Sequence, residues 1–426
     1  MIKKTTLLLL LIFSHSSFGE FDYQGNFSLD FKTFTSDDSD KSQEQSLSSY
    51  GNFSAKYEKD RYRLVFSTFG RFGFIDPDRN ILKVEDAYSE FQLDKNENFV
   101  LTTGYKVFNW TALEVFHPVD SVNSRNFDSD FEKFEKIGEL TVSLDINFDS
   151  SVLSFYYFPL FEKPHYPGDE SRLGVGADLD DSYIFGQSDP KSKQAHQWGA
   201  RYSHTFSGLD ISLHYLYQVN RNKSLVGTHR YTLVPIFNIL IPLETPLTNY
   251  FYYNQNFGLS LQYDVGAGLM FKLEASYLDF KQQDLIYTLN GLDQIEDHGE
   301  AAIGLEYTMD HQSGSSSTMF VEYQRLYDLK REQRAKFSTF QNDIALGIRY
   351  SLNDIMGSEF LFTVIGDLER SKEYFYNLSF NRRLTSSLKA NIAVRIFDAP
   401  KKESLPVGLE VLDEDNYLQL GLKYFY

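Results

Sequence analysis

Ser203, His204, Asp210 and His214 stand close together in a chain of 426 residues with nine histidines. Such types can supply a nucleophile and a proton acceptor if they meet. They sit, however, on two runs of alternating character, 197–206 and 209–218, joined by Ser207-Gly208. Side chains alternate along an extended strand, so His214 falls on the polar face and His204 on the other. One substrate cannot meet both. No metal-ligand spacing, phosphate loop or dinucleotide motif occurs. The expectation is a protein with no catalytic residues, no metal and no cofactor, and not an enzyme.

The second group of reactive types is Trp110, Asp120, Asn123 and Arg125, inside a non-alternating stretch from 108 to 136. A loop of this length is long for a surface hairpin, and folding inward would place an aromatic ring and both charge signs at a narrowing. Charged rings and diameter are what select solutes in a pore. The competing reading is structural, with Asp120 capping a turn and Arg125 paired to Asp128 or Asp130. These residues matter only if something encloses them, which turns the question to the flanking elements.

The last eleven residues read NYLQLGLKYFY, with Leu418, Leu420, Leu422, Tyr424 and Tyr426 on one face and Gln419, Gly421 and Lys423 on the other. The same period of two opens the mature chain at 21–31 and recurs at 47–57, 62–72, 82–93, 98–107, 140–146, 153–157, 197–206, 209–218, 257–265 and 269–280. Further runs begin near Glu300, Thr318, Asp343, Glu359, Tyr374 and Leu388, making eighteen in all, with sixteen as the alternative count. The run 82–93 changes parity around Asp86 and Ala87, which implies a bulge or a misread start.

Turns after even-numbered runs are short, at Lys59, Lys95, Ser150, Gly208, Gly266, Gln312, Asp354 and Ser386, while most others are long. A secreted β-sandwich or propeller offers no reason for that asymmetry. A transmembrane antiparallel β-barrel with short periplasmic turns and long extracellular loops does. The 29 Tyr and 38 Phe residues, with a mean hydropathy of −0.37, fit apolar residues diluted by alternation. The terminal strand should close the barrel on 21–31, with its aromatic end beside Phe21 and Tyr23, leaving no edge in lipid. The stretch 233–242 is apolar but too short and too proline-bounded for a membrane helix, and reads as an outer loop over the mouth or a lid.

Residues 1–19 carry Lys3 and Lys4, an apolar run from Leu7 to Phe13, and Ser17 and Gly19 near a cleavage point. They read as a signal peptide, leaving 20–426 as the barrel with no N-terminal plug. The absence of cysteine excludes disulfides and a lipid-bearing cysteine. The formal charge is −18, or −20 once Lys3 and Lys4 are lost, which argues against nucleic acid. Polar faces carry both signs: Lys32, Lys56, Arg63, Arg71, Arg201, Arg349, Arg383 and Arg395 against Asp145, Asp210, Asp264 and Glu306, among others. They predict a hydrated lumen held by cross-strand ion pairs. The runs Asp37-Asp38-Ser39-Asp40 and Asp413-Glu414-Asp415 could hold Ca²⁺ or bridge lipopolysaccharide, but lack ligand spacing and read as solvated loops.

Val107-Phe108-Asn109-Trp110, Phe116-His117-Pro118-Val119-Asp120, Asn123 and Arg125, continuing through Lys136-Ile137-Gly138 to Tyr157-Phe158-Pro159, Pro164, Pro167 and Arg172, resemble the alginate-export-type outer-membrane porins and their uncharacterised relatives. The pattern covers about 70 residues and departs from the family at His117, where Asn is usual, and at Asn109-Trp110-Thr111, where Trp-Gly is usual. The resemblance implies a bacterial outer-membrane channel. Passive, selective diffusion of a small solute is the expected function, with polysaccharide export as the alternative and an outer-membrane enzyme or surface adhesin as readings from other classes. The expected partners are outer-membrane lipid and lipopolysaccharide, and the barrel assembly machinery through the C-terminal strand. The strands present no flat contact patch, which suits a monomer.

Overall fold

The computed structural model describes residues 19–35, 43–130, 133–168, 171–174, 179–185, 193–228, 231–234, 239–242, 247–281, 285–288, 291–400 and 407–426. The expected signal segment, apart from Gly19, and the run from Asp37 to Asp40 lie outside them.

Period-two alternation yields eighteen wall strands: β1 Glu20–Phe34, β2 Gln45–Lys59, β3 Tyr62–Gly73, β4 Ile81–Gln92, β5 Phe99–Lys106, β6 Glu139–Asn147, β7 Ser151–Leu160, β8 Gln194–Phe206 and β9 Leu209–Val219. The wall continues with β10 Tyr253–Gly266, β11 Leu269–Phe280, β12 His298–Asp310, β13 Ser316–Tyr327, β14 Asn342–Ser351, β15 Glu359–Asp367, β16 Tyr374–Arg383, β17 Leu388–Asp398 and β18 Tyr417–Phe425. Each pairs antiparallel with its chain neighbours, and β18 returns to β1, so the sheet is a closed 18-stranded barrel. Closure satisfies every strand edge internally, which a bilayer requires. No helix among the described residues is long and apolar enough to cross a membrane.

The closing register differs from the expected one. β18 pairs with residues 26–34 of β1, from Asn26↔Phe425 to Phe34↔Tyr417, so Phe21 and Tyr23 pair with β2 alone. Tyr426 exchanges backbone hydrogen bonds with Gly25, and its ring fills the space where a Gly25 side chain would stand. A shift along the strand by an even number of residues leaves every side chain on its original face, so alternation does not select between such registers.

Tyr23, Phe27, Trp198, Leu213, Leu346 and Leu420 are exposed on the outer face, while Thr102, Glu139, Asn256, Glu274 and Asn377 are fully buried on the inner one. The parity change in β4 is a bulge. Ser67 pairs with Asp86 and Thr68 with Val84, leaving Glu85 as the extra residue. Its carboxylate accepts from Asn52 Nδ2 and Ser67 Oγ, both at 2.7 Å. The connections after even strands are short, such as Asp60-Arg61, where Asp60 takes a positive φ of 50°.

The long connections gather at the opposite end. Leu179–Phe185, Leu247–Phe251, Leu225–Thr228, Ile286–Thr288 and Gly291–Asp293 form a second, five-stranded sheet there. Tyr231–Val234 and Ile239–Pro242 form a hairpin, so the apolar stretch is extended rather than helical, with 235–238 outside the described residues. The acidic run near the end is not a solvated loop. Asp415 is fully buried against Arg172 at 2.6 Å, and Asp413 Oδ1 accepts the Ala399 N–H at 2.9 Å. Polar groups of a buried turn need such partners, and this one packs over Leu409 and Leu412.

Candidate functional site

The connection between β5 and β6, residues 107–138, crosses the barrel interior. Its neck is set by Asn123, whose Oδ1 accepts the Phe108 N–H at 2.7 Å. The Asn123 amide donates to the carbonyls of Lys106 and Ile137. One buried side chain thus holds both legs together. Gly138 donates to the Val84 carbonyl beside the β4 bulge, where a side chain on Gly138 would strike Glu85.

Beyond the neck, residues 112–119 reach the wall at β11 and β13. Glu274 accepts the N–H groups of Ala112 and Leu113 on Oε1 and of Val119 on Oε2. Glu322 accepts those of Glu114, Val115 and Phe116 at 2.6, 3.0 and 3.2 Å. Two buried carboxylates therefore satisfy six backbone donors of a segment with no ladder of its own. A carboxylate has lone pairs enough for three donors, and such charge-assisted bonds are the strong kind.

The facing wall residues are small. Glu274 lies opposite Ser260 and Ala302, and Glu322 opposite Gly304 and Ala345. A side chain on Gly304 would meet Leu113. Leu113 and Phe116 then pack with Ala302, Ala345, Ile365, Phe375 and Phe397, so the inner face holds an apolar cluster as well as water-seeking groups. That cluster adds an apolar patch to the inner face beside its charged and polar groups.

The other lobe is the hairpin Arg125–Asp130 with Lys133–Lys136. It reaches the wall on the β1–β4 and β17 side: Arg79 pairs with Asp128 at 2.9 Å, Arg71 with Glu135 at 2.6 Å and Arg395 with Asp130 at 2.6 Å. Arg79, in the turn between β3 and β4, and Arg395 of β17 take the acids expected for Arg125, which binds Asp120 instead at 3.0 Å. Lys136 completes the group, bonding Asp120 at 2.7 Å and the Phe108 carbonyl at 2.7 Å.

Asp120 and Asn123 thus lie buried within the segment. Trp110 is buried against Phe108, Tyr156 and His214, with the Arg201 guanidinium 5.3 Å from its ring. Glu114 is a partly exposed acid of the segment, bridging Lys272 and Arg349 at 3.3 Å each. Burial pushes its carboxyl up, but the two cations outweigh this and hold it below the usual range. Burial lowers Lys136 despite Asp120.

By register, Lys32, Lys56, Arg63, Arg71, Asp145, Arg201, Asp210, Asp264, Glu306, Arg349, Arg383 and Arg395 all stand on the face away from the exposed apolar residues. They do not converge. Cross-strand pairing joins Lys272 to Glu306 at 2.7 Å and Arg63 to Glu90 at 3.8 Å, whereas Arg71, Arg349 and Arg395 are paired with the inward segment. His204 and His214 stand on opposite faces, the former bonded to Ser151 at 2.5 Å. The sequence places Glu322 among the inward acids but gives no sign of its hold on the segment, and Glu274 escapes it altogether; the signal for both is a mid-strand acid whose paired neighbours are small.

Burial lowers the His117 imidazole to about 4, with Arg125 and Lys136 reinforcing the effect against Asp120 and Glu114. Its folded value lies below the unfolded 6.5, so the unfolded chain binds the proton more readily. The stability this contributes is complete above about 6.5 and is lost as pH falls towards about 4. Heat unfolding of the refolded chain in detergent is expected to show a smaller drop over that window for His117→Leu than for the unmodified chain. An unchanged drop would refute this assignment.

Neither a protein-family model nor a curated protein matches the chain. Among solved structures, it is similar to Pseudomonas aeruginosa OccD3 (OpdP), with a TM-score of 0.51 and 9% identity over 95% of this chain and 91% of that one. It is also similar to Salmonella typhi OmpF in complex with daunomycin, at 0.48 and 10% over 96% and 98%. A mutant Rh. blastica porin aligns at 0.41 and 11% over 96% and 100%. At such identities the likeness to the Pseudomonas structure is one of fold: the chain is a closed, 18-stranded, porin-type barrel.

Proposed function

We propose that the chain is a bacterial outer-membrane channel for passive diffusion of small solutes, with segment 107–138 setting the width and selectivity of the path. The observation that carries this reading is the attachment of six backbone N–H groups to Glu274 and Glu322. Together with the hairpin's ion pairs to Arg71, Arg79 and Arg395, it spans the interior between two regions of wall. A segment held at both ends across a lumen is the arrangement by which pores impose a size limit. Glu114 and Arg349, both partly exposed, are the charges offered to a passing solute.

Diffusion is favoured over the export of a polyanion, as in alginate-export-type porins, because Arg71, Arg79 and Arg395 are neutralised by acids of the segment. In this reading the exposed outer face meets lipid and lipopolysaccharide, β18 presents its aromatic end to the assembly machinery, and the barrel functions as a monomer. Proteoliposomes containing the refolded full chain are expected to swell in arabinose and to swell much less in a tetrasaccharide. Failure to swell in arabinose would remove the channel reading.

A further inference from the structure

Where β1 and β2 meet β16, β17 and β18, a cavity of about 360 Å³ lies against the inward hairpin at Ser129, Asp130 and Glu135. Its charges do not balance. Lys32, Lys389 and Lys423 line it, and among the described residues none of the three is within ion-pair distance of a carboxylate. Lys32 is only 6% exposed, with its ammonium 5.0 Å from the Tyr417 ring centre. Lys423 stands 5.8 Å from that of Tyr50.

Lys389 and Lys423 are also direct partners across β17 and β18. Like charges in that position repel, and nothing in the strand pairing requires them there. The acids nearby are committed elsewhere: Glu135 to Arg71, Asp130 to Arg395 and Asp128 to Arg79. Asp30 alone faces the lysines, accepting from Ser28 Oγ at 2.8 Å. Lys389 and Lys423 exceed Asp30 by one positive charge, and protonation of the buried Lys32 raises the excess to two, in a chain whose formal charge is −18. Asn381, Asn391 and Gln419 add donors and acceptors suited to hydroxyl groups. At position 421 glycine keeps the floor open, since a side chain there would approach Asp30.

We infer that this cavity binds a small hydroxylated dianion, a phosphomonoester or a dicarboxylate, with its charge on Lys32, Lys389 and Lys423 and its hydroxyls on the amides. A dianion cancels the local excess and relieves the repulsion between Lys389 and Lys423, which a neutral sugar does not. The inference deepens the channel reading, on which it rests for placing the site along a solute path.

Calorimetric titration of the refolded full chain in detergent with glucose 6-phosphate, malate and glucose tests it. At least one dianion is expected to bind tenfold or more tightly than glucose, and the stronger of the two identifies the anionic group. Lys423→Gln and Lys389→Gln, each checked by heat unfolding, are expected to weaken that binding at least tenfold. Equal affinity for all three solutes, or dianion binding unaffected in both folded variants, would overturn the site. Swelling in arabinose without dianion binding refutes the site and leaves the channel, whereas dianion binding without swelling refutes the channel and leaves the site.

Discussion

Replacing both latch acids, Glu274→Leu with Glu322→Leu, is expected to release residues 112–119 from the wall and to admit larger solutes. The two carboxylates are buried and together hold six N–H donors. Leaving a buried donor unpaired costs roughly 1–3 kcal/mol, so losing even two or three of these bonds costs several kcal/mol. Each 1.4 kcal/mol is about a tenfold change in an equilibrium, so the balance shifts towards the released form by about 100-fold or more. The barrel wall keeps its own ladder, because the strand pairing of β11 and β13 does not pass through these side chains. Proteoliposome swelling with sugars of graded size measures the change, and an unaltered size limit would refute the latch. Glutamine at both positions keeps one carbonyl acceptor each and is expected to give an intermediate limit.

Arg221→Ala is expected to cause the largest loss of stability. Arg221 and Glu139 are 1% and 0% exposed and meet at 2.7 Å, tying the connection after β9 to the root of the inward segment. Arg221 also donates to the Val219 carbonyl, while Glu139 Oε1 accepts the Ser124 N–H. Removing one member of a buried ion pair leaves an uncompensated charge, at a cost of about 3–5 kcal/mol. Replacing both, Arg221→Met with Glu139→Gln, leaves no bare charge and is expected to restore most of the loss. Heat unfolding in detergent compares the three proteins. A single substitution as stable as the unmodified chain, or a double no better than the single, would show that the pair is not acting in this way.

The wall was legible because its signal is repeated and local. Each strand, from 21–31 to the terminal NYLQLGLKYFY, reports its two faces through residues two apart, and the short turns at Ser207-Gly208 and near Lys59 mark the ends. The parity change near Asp86 was equally visible, although only the paired strand identifies Glu85 as the extra residue. What alternation cannot register is a slip by an even number of residues, and the closing pair of β1 and β18 differs from expectation in that way.

The inward segment was legible as a long interruption, but its contacts were not. Ala112 and Glu274 are 162 residues apart, and Glu114 and Glu322 are 208 apart. Nothing local connects them. Arg125 shows the same limit at short range: Asp128 is nearer in sequence than Asp120 and Asp130 is equally near, yet Arg79 and Arg395 take them and leave Asp120 to Arg125. Trp110 resembles a pore-lining residue by its type, but the aromatic pocket of Phe108, Tyr156 and His214 encloses it.

Single-channel recording in planar bilayers, comparing the refolded full chain with Glu274→Leu/Glu322→Leu, decides whether segment 107–138 narrows a conducting lumen. Discrete conductance steps are expected from both proteins, with larger steps from the variant. An unmodified chain that inserts without conducting, or identical steps from the two proteins, would contradict this expectation.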